Sequence, residues 1–314
     1  MYALLALTAT VLTSFLPILN KRILRDARPA FVAWAINAFS LPILAIGTLL
    51  LTQCRFTPLH NAVPFSCTTH LPQLDRIFVI ALLASVVLNW GATLLSTYAL
   101  AKADASLVSP LLTFNPAFTL LIAWIALSEV PGLRQTIGVG VVLCGAYLLE
   151  VEEARTGWLS PLYVLLHRPG TLLAVGASAL WGTTTVLEKL AIEHMAPPSG
   201  PVVALLQTLL MVLLLTPGAL RSADREQPTI HQNRWKGLRA HPHAFALAAL
   251  IAGIAPLFGF TSIALGLVGY VTTLFKLSSV LTILWARVFL GEGQIRERLL
   301  GASVMIIGGL LVAA

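Results

Sequence analysis

The sequence predicts an all-α integral membrane protein of ten transmembrane helices, arranged as two inverted five-helix repeats. Three observations carry this expectation. The 314 residues are 57% hydrophobic and only 11% charged, with mean hydropathy +0.87, too apolar for a soluble domain of this length. The apolar residues fall into ten runs near the roughly 20 residues that cross hydrocarbon. The two halves of the chain also repeat each other.

The runs cover residues 2–20, 30–52, 77–100, 105–127, 134–150, 169–191, 200–219, 243–265, 268–290 and 297–314. The first lacks a basic region ahead of its apolar stretch and ends in NKRILRDARP rather than a small-residue cleavage site, so it reads as a retained helix, not a signal peptide. The fifth and tenth are near the short limit of about 17 residues. Breaks between runs hold most of the charge, and Asn115-Pro116 interrupts the fourth run, where proline removes an N–H and frees a backbone carbonyl.

A shift of 163 residues aligns LSEVPGLRQTIGVGVVLCGAYLL, residues 127–149, with LGEGQIRERLLGASVMIIGGLLV, residues 290–312, without a gap. It pairs Leu127 with Leu290, Glu129 with Glu292, Gly138 with Gly301 and Gly145 with Gly308. A shift of 168 pairs Lys21 with Lys189 and Pro29 with Pro197. Matched glycines predict close helix approach. Five spans per half force the halves into opposite orientations, the plan of secondary transporters with a midplane site between repeats. The expected division is 1–151, a linker at 152–168, and 169–314.

On these residues the sequence resembles the ten-helix EamA-like branch of the drug/metabolite transporter superfamily. The resemblance covers nearly the whole chain and is most specific in YALAKADASLVSPLLTFNPAFTLLIAWIALSEVPGLRQTIGVGVVLCGAYLLE, residues 98–150. Its Ala/Ser-rich entry, Pro116, Leu127, Glu129 and Gly138 follow the family pattern, and Ser279 stands where the second half would repeat Pro116. The resemblance implies a secondary transporter of small metabolites, amino acids or drugs, often outward, in a bacterial inner membrane. It does not name the cargo.

The chain carries +7 net charge, read as an orientation signal rather than a nucleic-acid surface. Odd-numbered loops hold fourteen Lys and Arg and even-numbered loops four, which places both termini outside, whereas the resemblance implies both inside. With loop two outside, Cys54 and Cys67 form a disulfide; the alternative is two unpaired thiols. Cys54, His60, Cys67 and His70 lack the spacing of a metal site.

No phosphate loop is present, so no ATP-driven engine is expected, and no paired His, Asp or metal ligands suggest an enzyme. No cofactor is expected. The thirteen acidic residues fall in loops or within a turn or two of helix ends, so no carboxylate is expected at mid-depth. Lys276 stands about nine residues into the ninth run, too deep for comfortable snorkelling, and predicts a cargo with an anionic group. Candidate cavity partners are Thr113 (its counterpart in the first half), Asn115, Pro116, Thr272, Thr273, Asn89, Trp90 and Trp181. Arg287 lies about three turns from Lys276 and reads first as an interface anchor.

The leading expectation is thus alternating-access transport of small organic metabolites, amino acids or organic anions among them, by export or exchange. An exporter of neutral or amphipathic drugs is the alternative within that class. A non-transporting scaffold or lipid-handling protein is the alternative outside it. Expected partners are the small-molecule cargo and the lipid bilayer, with the chain a monomer or homodimer.

Overall fold

A computed structural model describes residues 2–52, 73–115, 118, 132–149, 168–221, 239–265, 268–293 and 295–313. In chain order these form α1 (Tyr2–Ser14), α2 (Leu16–Ile23), α3 (Pro29–Thr52), β1 (Gln73–Leu74), α4 (Arg76–Lys102) and α5 (Ala105–Leu111) with a 3-10 turn at Leu112–Phe114. They continue as α6 (Leu133–Leu149), α7 (Pro169–Glu193), β2 (Met195–Ala196), α8 (Gly200–Arg221), α9 (Pro242–Leu265), α10 (Val268–Leu290) and α11 (Ile295–Ala313). Among the described residues, six segments are long and apolar enough to cross a membrane: 2–23 (α1 with α2), α3, α4, α7, α8 and α9. The chain is therefore an all-α, multi-pass membrane protein. Cys54, Cys67, His60, His70, Pro116, Leu127 and Glu129 lie outside the described residues.

Proline shapes the first span. Pro17 has no N–H to give the carbonyl of Thr13, so the helix breaks at Phe15 and resumes as α2. The break turns a polar edge of the helix, Thr13 and Asn20, into the bundle.

Small residues set the closest helix contacts. α4 and α7 run antiparallel: a Cβ on Gly170 would fall 2.6 Å from Ala103 Cβ, and one on Gly91 2.9 Å from Leu180 Cδ1. The contact between α6 and α11 is reciprocal. A Cβ on Gly145 would lie 2.8 Å from the carbonyl oxygen of Gly301, and one on Gly308 2.7 Å from that of Gly138. Four glycines that match in sequence thus meet across one antiparallel, self-similar interface, as the expected close approach requires.

Helix ends are capped by charges from elsewhere in the fold. Lys21 Nζ donates to the carbonyls of Leu100, at 2.8 Å, and Ala103, at the C-terminal end of α4. Lys189 Nζ donates to Ile263, at 3.0 Å, and Ala264, at 3.3 Å, at the C-terminal end of α9. A cation there answers the orphan carbonyls and the negative end of the helix dipole. The two sequence-matched lysines therefore do the same job in the two halves. At the opposite end of α4, Asp75 Oδ1 accepts from the Phe78 N–H at 2.7 Å, and its Oδ2 lies 2.7 Å from His194 Nδ1. The two-residue strands pair beside it, Gln73 with Ala196 and Leu74 with Met195, tying the start of α4 to the end of α7.

Two outcomes follow. Gly145→Leu and Gly308→Leu each force backbone apart and cost about 1–3 kcal/mol, whereas Gly140→Leu, with nothing within 4 Å of its added Cβ, leaves the thermal midpoint in detergent unchanged. The Phe78 N–H, and then His194, hold the Asp75 carboxyl below its ordinary value of 3.8. A depressed carboxyl stabilises the fold above its unfolded value and loses that contribution as pH falls through the native one. The parent therefore loses midpoint below about pH 3.8, and Asp75→Asn, already less stable at neutral pH, lacks that part of the acid dependence.

Candidate functional site

A cavity of about 370 Å³ lies between helices from both ends of the chain, within the size range of small-molecule sites. Thr13, Pro17 and Asn20 come from the broken first span, Asn37 from α3, Thr93, Ser96 and Thr97 from α4. Ser109 and Asn115 come from α5 and the turn that follows it. The far wall is Trp181 of α7, Ala252 of α9, and Phe275, Ser278 and Thr282 of α10.

None of the described lining side chains carries a charge, and most of the hydroxyls donate to backbone carbonyls. Thr13 donates to Ala9 O at 2.8 Å, Asn37 Nδ2 to Ala33 O at 2.8 Å, Ser96 and Thr97 to Thr93 O, Ser278 to Phe275 O and Thr282 to Ser278 O. A hydroxyl has one proton to give and two lone pairs to offer. With these donors engaged, acceptor lone pairs remain on those hydroxyls, alongside the Asn20 amide N–H groups and the Ser109 hydroxyl in the same wall. Asn20, in the same wall, has a buried Oδ1 that receives no hydrogen bond, an arrangement that costs free energy.

Beyond Asn20 and Leu100 the bundle is stitched by charge. Glu292, in the turn after α10, accepts from the N–H groups of Ala105 at 3.1 Å and Ser106 at 2.9 Å, capping α5, and from the Ser106 hydroxyl. Arg298 of α11 reaches Asp104 at 3.0 Å and Glu292 at 3.6 Å, and donates to Ser106. Arg22 donates to the Phe289 carbonyl at 3.0 Å. Glu292 and Arg298 are both nearly buried, so this is a coupled ion-pair network that joins α2, α4, α5, α10 and α11.

The expected site residues are distributed unevenly. Asn115 and Trp181 line the cavity. Asn89 sits behind the wall, buried, and accepts from Trp181 Nε1 at 2.8 Å. Trp90 is 37% exposed and Arg287 is exposed, and neither lines the cavity. Lys276, Thr272 and Thr273 lie on α10, whose Phe275 and Ser278 line the cavity, and Thr113 lies in the 3-10 turn; their side chains are outside the described set. Pro116 is outside it altogether.

One expectation is corrected. A carboxyl does sit deep in the bundle: Glu188 Oε1 accepts from Asn89 Nδ2 at 3.0 Å and from Gln207 Nε2 at 2.9 Å. Asn89 is the midpoint of the 27-residue α4, and Glu188 is 7% exposed. Its neighbours Lys189 and Glu193 pair at the end of α7 and make Glu188 look like part of a charged helix terminus. Helical geometry instead places it two turns from Trp181, on the face that carries buried Ala174, Ala177, Ser178 and Thr184. That periodicity was the available signal. Asn20 was hidden similarly, by Lys21 and Arg22 beside it.

The model of the EamA-like transporter family matches residues 1–151 and 168–314. An uncharacterized protein of Methanocaldococcus jannaschii is 36% identical over 79 residues, which span 25% of this chain and 57% of that protein. One solved crystal structure of a protein superposes on 100% of this chain and 96% of its own with TM-score 0.58 at 20% identity, a likeness of fold.

Proposed function

The chain belongs to the EamA-like transporter family, and from that premise we propose that it is a secondary transporter of small organic metabolites, amino acids foremost, by alternating access through the central cavity. Transport rather than catalysis is the general function of that family. In this reading ten spans form two inverted repeats, 1–151 and 169–314, in a cell membrane. The reciprocal glycine contact of α6 with α11, and the matched capping by Lys21 and Lys189, support that arrangement.

The observation that carries the cargo assignment is the buried Asn20 Oδ1, which accepts no hydrogen bond, in a wall most of whose hydroxyls donate to helix carbonyls. Such a wall favours a solute that brings N–H or O–H groups, as an ammonium does. Lys276, on the helix that supplies Phe275 and Ser278, is the group we assign to the cargo carboxylate. A zwitterion answers both demands.

The test is counterflow of labelled amino acids and organic acids in liposomes at equal reconstituted amounts of parent, Asn20→Leu, Lys276→Met and Lys276→Arg. Asn20→Leu is expected to weaken apparent affinity about three- to tenfold. Lys276→Met is expected to weaken it by tenfold or more while folding normally, and Lys276→Arg to keep part of it with altered selectivity. No counterflow of any amino or organic acid by the parent sinks the assignment. Flux of neutral amphipathic compounds that Lys276→Met leaves intact would favour drug export instead.

A further inference from the structure

The carboxyl of Glu188 has no place in the cargo site just described, because it lies outside the cavity wall. Glu188, Asn89 and Gln207 are all less than a tenth exposed, and Ser85 behind them is fully buried. An ionisable side chain at such a place is expensive, and an amide would accept the same two hydrogen bonds at lower cost. Both donors, moreover, converge on Oε1. Among the described residues none donates to Oε2.

The orientation of this cluster is set from the cavity. Trp181 lines the cavity, and its indole N–H can only donate. It therefore fixes Oδ1 of Asn89 towards itself and Nδ2 towards Glu188. A directed chain of hydrogen bonds runs from cavity wall to buried carboxyl: Trp181 to Asn89 to Glu188.

We propose that Glu188 is an intramembrane proton-binding site, held by Asn89 and Gln207 and linked to the transport cavity through Trp181. A proton taken from water bonds to Oε2 and gives the neutral acid, while Oε1 keeps both amide donors; release returns the proton to water and the charge to the carboxylate. Cargo that draws on Trp181 shifts Asn89, and Asn89 shifts the balance between the two forms. Use of this site in coupling rests on the transport reading; the proton binding itself does not.

The charged groups on the packed helices stand far off or are engaged. Arg76 and Lys102 are at the two ends of α4, each thirteen residues from Asn89, about 20 Å along the axis. Arg221 ends α8 and His243 opens α9. Lys189 and Glu193, on the same helix as Glu188, pair with each other, and Lys189 also caps α9. On α10, Arg287 is exposed, and Lys276 follows Leu274 and Phe275, which pack against the buried cluster to which Ala191 and Ile192 of α7 belong. No titratable residue is present in α5, the 3-10 turn or β2. Lys276 is thus the cation whose influence has to be tested.

The experiment is infrared difference spectroscopy of the full chain in lipid nanodiscs across about pH 5 to 9. A buried carboxylic-acid carbonyl band that titrates is expected in the parent, absent in Glu188→Gln and retained in Lys276→Met. Glu188→Asp, which keeps a carboxyl, is expected to retain the band at a changed frequency, so the assignment survives if the Gln variant misfolds. In Trp181→Phe the midpoint is expected to move by about half a unit to one unit of pH, the size of one hydrogen bond. In Trp34→Phe, which removes an indole hydrogen bond to Thr216 instead, it should stay. A parent without the band, or a band unchanged in both Glu188 variants, overturns the proton site. A band that appears only in Lys276→Met makes Glu188 the fixed counter-ion of that lysine and overturns it too. An unmoved midpoint in Trp181→Phe overturns the link to the cavity. None of these readings needs cargo, so failure of the flux assay and failure of this proposal are separable.

Discussion

Hydrocarbon supplies no hydrogen bonds, so each polar group the chain carries into the membrane has to find its partner inside the protein. The bundle is organised around that constraint. The long helices satisfy their own backbones, and where a backbone ends or breaks, a side chain from another helix completes it. Lys21 covers the last carbonyls of α4, Lys189 those of α9, and Glu292 the first N–H groups of α5. Each of these contacts joins segments far apart in sequence, so the capping that solves a local backbone problem also fixes how the helices stand relative to one another.

The same constraint explains where the cavity is. Irregular backbone at membrane depth is tolerated where it lines a polar space. The break at Phe15-Pro17 and the 3-10 turn at Leu112–Phe114 both sit beside the cavity, with Pro17, Leu112 and Asn115 in its wall. Bonding most of the lining hydroxyls back onto their own helices meets the constraint locally, and it leaves acceptor lone pairs on those hydroxyls.

Much of this was legible in the sequence because it follows from period and repetition. Apolar run length gave most helix bounds to within a few residues, apart from the break at Phe15 in the first run and the part of the fourth run that lies outside the described residues; Gly138, Gly145, Gly301 and Gly308 gave a close contact, and the Lys21/Lys189 match gave two equivalent positions. What was not legible depends on rotation about the helix axis near a terminus. Glu188 and Asn20 sit beside charges that mark helix ends, and a linear reading groups them with those charges, although a turn of 100° per residue sends them inward. Trp90 fails the other way. It adjoins the buried Asn89 in sequence, yet that same rotation leaves it 37% exposed.

The deep carboxyl also changes what Lys276 implies. A lone ammonium in the bundle would call for an anionic cargo to neutralise it, and the absence of any acidic partner was half of that argument. With Glu188 on α7 the second half of the chain carries a buried carboxyl within its spans as well as Lys276 on α10. Whenever that carboxyl is ionised, Lys276 is not the lone charge that the argument for a net negative solute assumed. In the transport reading proposed above, the matching solute has separated charges, a donor for the lone pairs around Asn20 and an acceptor for α10. A compact zwitterion meets both demands without adding net charge to a low-dielectric space, whereas a simple anion would leave the wall's lone pairs unanswered.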